Sequence, residues 1–98
     1  MEVDFGSNSL RRCYATHAEA VQKWGPVVGR KYILRVNVLY AAKEFNDLYS
    51  IKALRLHELK GELKGHYAIT LHDRWRLILV PLSDERIRVE EVTNHYGD

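Results

Sequence analysis

Ninety-eight residues, 46% of them hydrophobic and 29% charged, have the composition of an ordinary soluble globular protein with room for one core. The longest apolar runs fall far short of the ~18 residues a membrane span needs, and a net charge of +2 does not by itself announce a nucleic-acid binder. Cys13 is the only cysteine, which excludes an intrachain disulfide and a cysteine-built metal cage. Residues 1–98 are therefore expected to form a single domain. The stretch MEVDFGSNSL lacks the basic start and apolar run of a signal peptide, so the expected setting is the cytoplasm, with no membrane association.

In chain order, EVDF (residues 2–5) reads as a short edge strand, and GSNS supplies capping chemistry through Asn8 or Ser9. Leu10, Tyr14, His17, Val21 and Trp24 then follow at spacings of a single helical face. Gly25-Pro26 punctuates, since glycine suits the position past a helix end and proline the first position of the next helix. A second helix is predicted over residues 27–48, with Leu34, Val38, Ala41, Phe45 and Leu48 as its core stripe. Two helices joined by so short a turn are expected to be antiparallel neighbours.

From Leu54 the period changes to two. Leu54 and Leu56 alternate with Arg55 and His57; Tyr67, Ile69 and Leu71 with His66, Ala68, Thr70 and His72. Asp73-Arg74 forms a tight turn, after which Trp75, Leu77 and Leu79 alternate with Arg76, Ile78 and Val80. Residues 81–85 read as a loop. In the last strand Ile87, Val89 and Glu91 alternate with Arg86, Arg88 and Glu90. Consecutive strands with short connections predict an antiparallel sheet, and the helical hairpin has the stripe to cover one face of it, giving a two-layer α+β domain.

The opposite sheet face is where function is sought. Residues 52–76 hold six cations (Lys52, Arg55, Lys60, Lys64, Arg74, Arg76) against Glu58, Glu62 and Asp73, a local excess of +3, together with three histidines. Alternation sends Arg55, His57, His66, Thr70, His72, Arg74 and Arg76 to this side, a composition suited to a phosphate backbone or simply to a solvated face. For RNA cleavage the 2′-hydroxyl attacks its own phosphodiester. The protein must then accept one proton, donate another to the leaving 5′-oxygen, and stabilise the crowded phosphorane. Histidine, with an ordinary pKa of about 6.5, suits the proton transfers, and Lys or Arg the charge. His57, Lys60, Arg76 and His95 are the right types.

Metal chemistry finds no support in the spacing. His57 and His66 are nine apart and His66 and His72 six apart, matching neither usual zinc pattern, and the latter pair would sit ~20 Å apart along a strand. No nucleophile elbow or phosphate-cradling glycine loop occurs. No metal and no cofactor are expected. The tetrapeptide Glu-Leu-Lys-Gly occurs twice, at residues 58–61 and 62–65; the first copy is read as a strand end and the second as a hairpin connection.

The order of these elements, with LRLHELKGELKGHYAITLHDRWRLILV followed by an end strand closing in VEEVTNHYGD, resembles the HigB-type branch of the RelE/ParE toxin superfamily. The resemblance covers nearly the whole chain and is strongest over residues 54–80. It implies a small antiparallel sheet flanked by two N-terminal helices, and a metal-independent endoribonuclease that cuts translated mRNA in the ribosomal A site. It also implies a cognate HigA-like helix-turn-helix antitoxin and binding of operator DNA through the toxin–antitoxin complex. By position, His57 and Lys60 correspond to the family's LHxLKG histidine and lysine, Arg76 to the arginine of W-R, and His95 to the closing histidine. Arg55, Lys64, Arg74, Asn94 and Tyr96 are the accompanying substrate-binding candidates. Family members commonly end in Asp-Tyr-His where this chain reads Thr93-Asn94-His95, with Tyr96 following. Either Asn94 and Tyr96 substitute, or catalysis leans more heavily on His57, Lys60 and Arg76. Two other readings stand beside this one: a ParE-like inhibitor of DNA gyrase, and a non-catalytic nucleic-acid-binding remnant.

Overall fold

The computed structural model describes residues 1–95. Its helical layer starts at Ser7, which accepts from the Leu10 N–H at 3.1 Å and so takes the capping role expected of Asn8 or Ser9. The predicted first helix is two segments. Helix α1 (Asn8–Ala15) ends at Thr16, whose backbone is extended, and α2 (His17–Ala41) begins immediately after it. The chain folds back there: Lys23 reaches Ser9 at 2.6 Å and Glu19 pairs with Arg12 at 3.4 Å, contacts that an unbroken helix would forbid. The break also re-phases the stripe, so His17 is exposed while Ala20 is fully buried.

Gly25 interrupts α2 as expected, at φ 86° and ψ 168°, a region that L-residues avoid, and Pro26 starts the continuing arm. This turn returns Gly29 against Ala20, where a Cβ would lie 2.8 Å from the Ala20 backbone. The long arm ends at Ala41 rather than 48, its last carbonyls accepting from the Met1 ammonium. Phe45 and Leu48 are buried, but on a separate 3-10 turn (Phe45–Ser50) begun by reciprocal Glu44 and Asp47 capping bonds. The buried stripe of the arm is Val28, Tyr32, Val36 and Leu39, whereas Leu34 is 42% exposed. Two overlapping apolar stripes exist, and the fold uses the one headed by Tyr32, whose hydroxyl donates to the Leu10 carbonyl at 2.7 Å.

The sheet has order β1-β5-β4-β3-β2, from β1 (Glu2–Phe5), β2 (His57–Glu58), β3 (Tyr67–His72), β4 (Trp75–Ser83) and β5 (Arg86–Thr93). Four strands pair antiparallel. β1 joins β5 in parallel, Glu2 opposite Arg86 and Phe5 opposite Val89, so the sheet is mixed while the α+β class holds. The predicted strand around residues 54–57 shrinks to His57–Glu58, because Lys52–Leu54 forms a 3-10 turn and Arg55 adopts a left-handed backbone at φ 53°. β4 runs through the expected loop to Ser83. Its ladder is irregular just past Pro81, which has no N–H to contribute.

Ile69, Leu71, Leu77, Leu79, Ile87 and Val89 form the inner face against the helices. Cys13 is buried in the same core, and burial pushes its thiol above the ordinary range. The outer face has a small core of its own, Leu59, Ala68 and Ile78 with Leu63 packed against it. The duplicated tetrapeptide is thereby used twice over: both leucines anchor the segment to the sheet, and both terminal glycines, Gly61 and Gly65, have positive φ.

Candidate functional site

Register assembles the outer face in two rows. His57 pairs with Ala68, Ala68 with Ile78, and Ile78 with Glu91. One step along, Thr70 pairs with Arg76 and Arg76 with Thr93. Paired residues share a face, so His57, Thr70, Arg76 and Thr93 point the same way as the small outer core. His57 lies two strands from β4 and two residues out of line, which puts its Cα ~12 Å from that of Arg76.

A bulge makes the second row possible. Simple alternation from Ile87 and Val89 sends Glu91 and Thr93 inward. The register shift instead sets Leu79 opposite Val89 and Ile78 opposite Glu91, leaving Glu90 as the extra residue. Val92 turns in against the core, and Glu91 and Thr93 turn out. Thr93, which the motif reading passed over, is 3% exposed, and its Oγ1 accepts from the His95 N–H at 3.1 Å. The spacing Ile87, Val89, Val92 was the available signal: two residues, then three.

Arg76 is buried at 7% exposure, and its Nη1 donates to the carbonyls of Asp73 at 2.6 Å and Trp75 at 2.9 Å. These bonds fix the guanidinium plane against the β3–β4 turn, which Asp73 closes at φ 50°. His57 Nδ1 lies 3.0 Å from the Arg55 carbonyl. A carbonyl can only accept, so Nδ1 carries the hydrogen and Nε2 is the basic nitrogen of the neutral ring. Arg55 thus bears on the site through its left-handed backbone, its side chain being exposed.

Lys60 and Lys64 are exposed at either end of the 3-10 turn Gly61–Leu63, which the two leucines hold against the outer face. Glu58 braces this segment by accepting from the Gly65 N–H at 2.9 Å. Arg74 is exposed in the β3–β4 turn, and Asn94 and His95 are exposed just past β5. Tyr96 lies outside the described residues. The register therefore brings Arg76 and Thr93 to neighbouring positions, with His57 across β3, and His95 follows two residues past Thr93, tied to it by its N–H. Two histidines stand apart: His72 sits 3.3 Å from Asp73, and the buried Nδ1 of His66 has no hydrogen-bond partner. Among the described residues no group of three or more His, Cys, Asp or Glu is arranged to hold a metal ion.

Several solved structures share the fold. YafQ from E. coli strain BL21(DE3) is 19% identical, with 96% of this chain and 92% of that one covered at a TM-score of 0.66. The YoeB/ParE toxin from Agrobacterium tumefaciens is 18% identical over 98% of this chain and 100% of that chain, TM-score 0.58. A chain of the YoeB–YefM complex from Staphylococcus aureus is 21% identical over 98% of both, TM-score 0.53. No curated protein matches the sequence. The family model described as the RelE-like toxin of type II toxin–antitoxin system HigB matches residues 3–96. With the match spanning nearly its whole length, the chain belongs to the HigB-type RelE-like toxins of type II toxin–antitoxin systems.

Proposed function

We propose that this toxin is a single-domain, ribosome-dependent endoribonuclease that cleaves translated mRNA in the A site. The observation that carries the reading is the outer-face register, in which Arg76, paired with Thr93 on β5, shares a face with His57. The RNA supplies the nucleophile. Its 2′-hydroxyl attacks phosphorus, the O2′–P bond forms, the P–O5′ bond breaks, and a 2′,3′-cyclic phosphate and a 5′-hydroxyl result. His57, with Nδ1–H fixed on the Arg55 carbonyl, accepts the 2′-hydroxyl proton at Nε2. His95 returns a proton to the 5′-oxygen. Arg76 and Lys60 stabilise the charge gathering on the phosphorane, and Arg55, Lys64, Arg74, Asn94 and Tyr96 hold the flanking phosphates and bases.

A HigA-like helix-turn-helix antitoxin, encoded beside the toxin, neutralises it. The pair binds its own operator, and the toxin acts in the cytoplasm on the ribosome. That the fold-sharing YoeB has been solved in complex with YefM supports pairing with a protein partner. The deciding experiment maps mRNA 5′ ends after brief induction. New ends at in-frame codons are expected in the wild type, and none in His57→Ala or His95→Ala proteins of wild-type melting temperature. Intact mRNA with accumulating cleaved DNA complexes would replace this reading with gyrase inhibition. RNA binding of steep salt dependence without turnover would reduce it to binding alone.

A further inference from the structure

Two polar residues are sealed into the outer face and stand directly opposite each other. Setting aside the tyrosine and cysteine of the core, Arg76 and Thr93 are the buried polar or charged side chains among the described residues, at 7% and 3% exposure. Register makes them partners across β4 and β5, with Cα atoms about 4.5–5.5 Å apart. Burying a polar group costs free energy unless its bonds are made, and stability alone is better served by valine at such a strand position. Arg76 donates to the carbonyls of Asp73 and Trp75. Thr93 directs its oxygen elsewhere, to the N–H of His95 at 3.1 Å.

The bulge at Glu90 turns Thr93 outward, and β5 ends there, so no ladder holds residues 94 and 95. Among the described residues the bond to Thr93 is the only hydrogen bond that holds His95. We propose that Thr93 is a positioning residue for His95, a role that rests on the cleavage reading above and adds to it the group that aims the acid. Its hydroxyl oxygen pins the His95 backbone two residues past the Arg76–Thr93 pair, so that the exposed imidazole is held for proton return to the 5′-oxygen. Threonine suits the task for two reasons. Its branched Cβ restricts χ1, so the oxygen keeps its direction. The hydroxyl is also neutral, so it orients His95 without setting a carboxylate opposite Arg76. A strand-end bond that only stabilised the fold would behave differently: losing the oxygen would lower the melt and leave the chemistry of folded molecules unchanged.

The test is single-turnover cleavage of ribosome-bound mRNA over a range of toxin concentrations, for wild type, Thr93→Val, Thr93→Ser, His95→Ala and the Thr93→Val/His95→Ala double variant. Misplacing an acting group by about 1 Å costs ~10²-fold. Thr93→Val is therefore expected to lower the maximal rate ~10²-fold, with the half-saturating concentration within about twofold of wild type. Thr93→Ser keeps the oxygen and should recover the rate to within about fivefold. In the His95→Ala background Thr93→Val should cost less than about twofold more, because a residue that acts through His95 has nothing left to aim. Exchange of the His95 amide hydrogen should be faster in Thr93→Val than in Thr93→Ser. Thr93→Ala takes the place of Thr93→Val should the latter lower the thermal melt. An undiminished rate in folded Thr93→Val, or a loss that persists in full without the His95 imidazole, would overturn the positioning role and leave cleavage standing. Intact mRNA in the presence of wild-type toxin would overturn the cleavage reading and this role with it.

Discussion

The two faces of the sheet are built from the same strands on opposite plans. The inner face presents Ile69, Leu71, Leu77, Leu79, Ile87 and Val89 to the helices, and all are within 2% of complete burial. The outer face has only Leu59, Ala68 and Ile78 at its centre, flanked by Arg76, Thr93 and His57. One face is a continuous apolar layer, and the other is a small apolar patch that seats a charged segment. Stability should therefore reside chiefly on the inside and the proposed RNA cleavage on the outside, and substitutions can separate the two.

The largest effect on stability is expected from Leu77→Ala. Truncation in a closely packed layer costs about 2–5 kcal/mol, a large part of what a domain of this size possesses. Urea unfolding should show a much lower midpoint, with toxicity lost alongside the fold. Next is Gly29→Ala, which drives a methyl into the Ala20 backbone at 2.8 Å and should cost about 1–3 kcal/mol in the same assay. Leu59→Ala breaks the outer patch. Its expected cost of about 1–2 kcal/mol lies below the usual range because the site borders solvent and can collapse, yet cleavage should fall further than stability as the Lys60 segment loosens. If Leu59→Ala proves as costly as Leu77→Ala, the comparison fails.

A small stability change, within about 0.5 kcal/mol, is expected for His57→Ala, although cleavage should drop ~10²–10⁴-fold. Lys60→Ala and Lys64→Ala sharpen the contrast inside the duplicated tetrapeptide. Both should leave unfolding unchanged, while single-turnover cleavage falls roughly 10²-fold for the first and only about threefold for the second. Equal losses would mean that the lysines, like the leucines, act as a pair.

These contrasts also show where the sequence could be read. Alternation assigned the inner residues of β3 and β4 because a half-covered sheet leaves a period of two that nothing else mimics. Gly25-Pro26 was legible for a local reason, a backbone angle that only glycine takes freely. The long helix was harder, since Leu34 and Val38 make as good a stripe as Tyr32, Val36 and Leu39, and only tertiary packing chooses between them. The break at Thr16 had a local marker, Thr16 three residues before Glu19 in the pattern of a helix start, but the continuous stripe from Leu10 to Trp24 outweighed it. The residues 54–57 alternate like a strand, but the left-handed Arg55 ends that pattern. On the site side, the shared face of His57 and Arg76 followed from period and pairing. The outward turn of Thr93 did not, because one extra residue at Glu90 inverts everything after it. The resemblance supplied His95 where periodicity was silent.

The parallel pairing of β1 with β5 has a consequence for how the toxin is made. The first strand synthesised has no neighbour in the sheet except the last; the Arg86–Asp4 ion pair at that seam joins positions 82 residues apart. At roughly 5–20 residues per second, the nascent chain spends several seconds with its opening strand unpartnered, while α1 and α2 have already emerged and can coil locally. The bulge that turns Thr93 toward Arg76 lies in the same late strand. The outer-face row is thus assembled only when β5 has been made, because that one strand carries both the partner of β1 and the bulge that turns Thr93 outward.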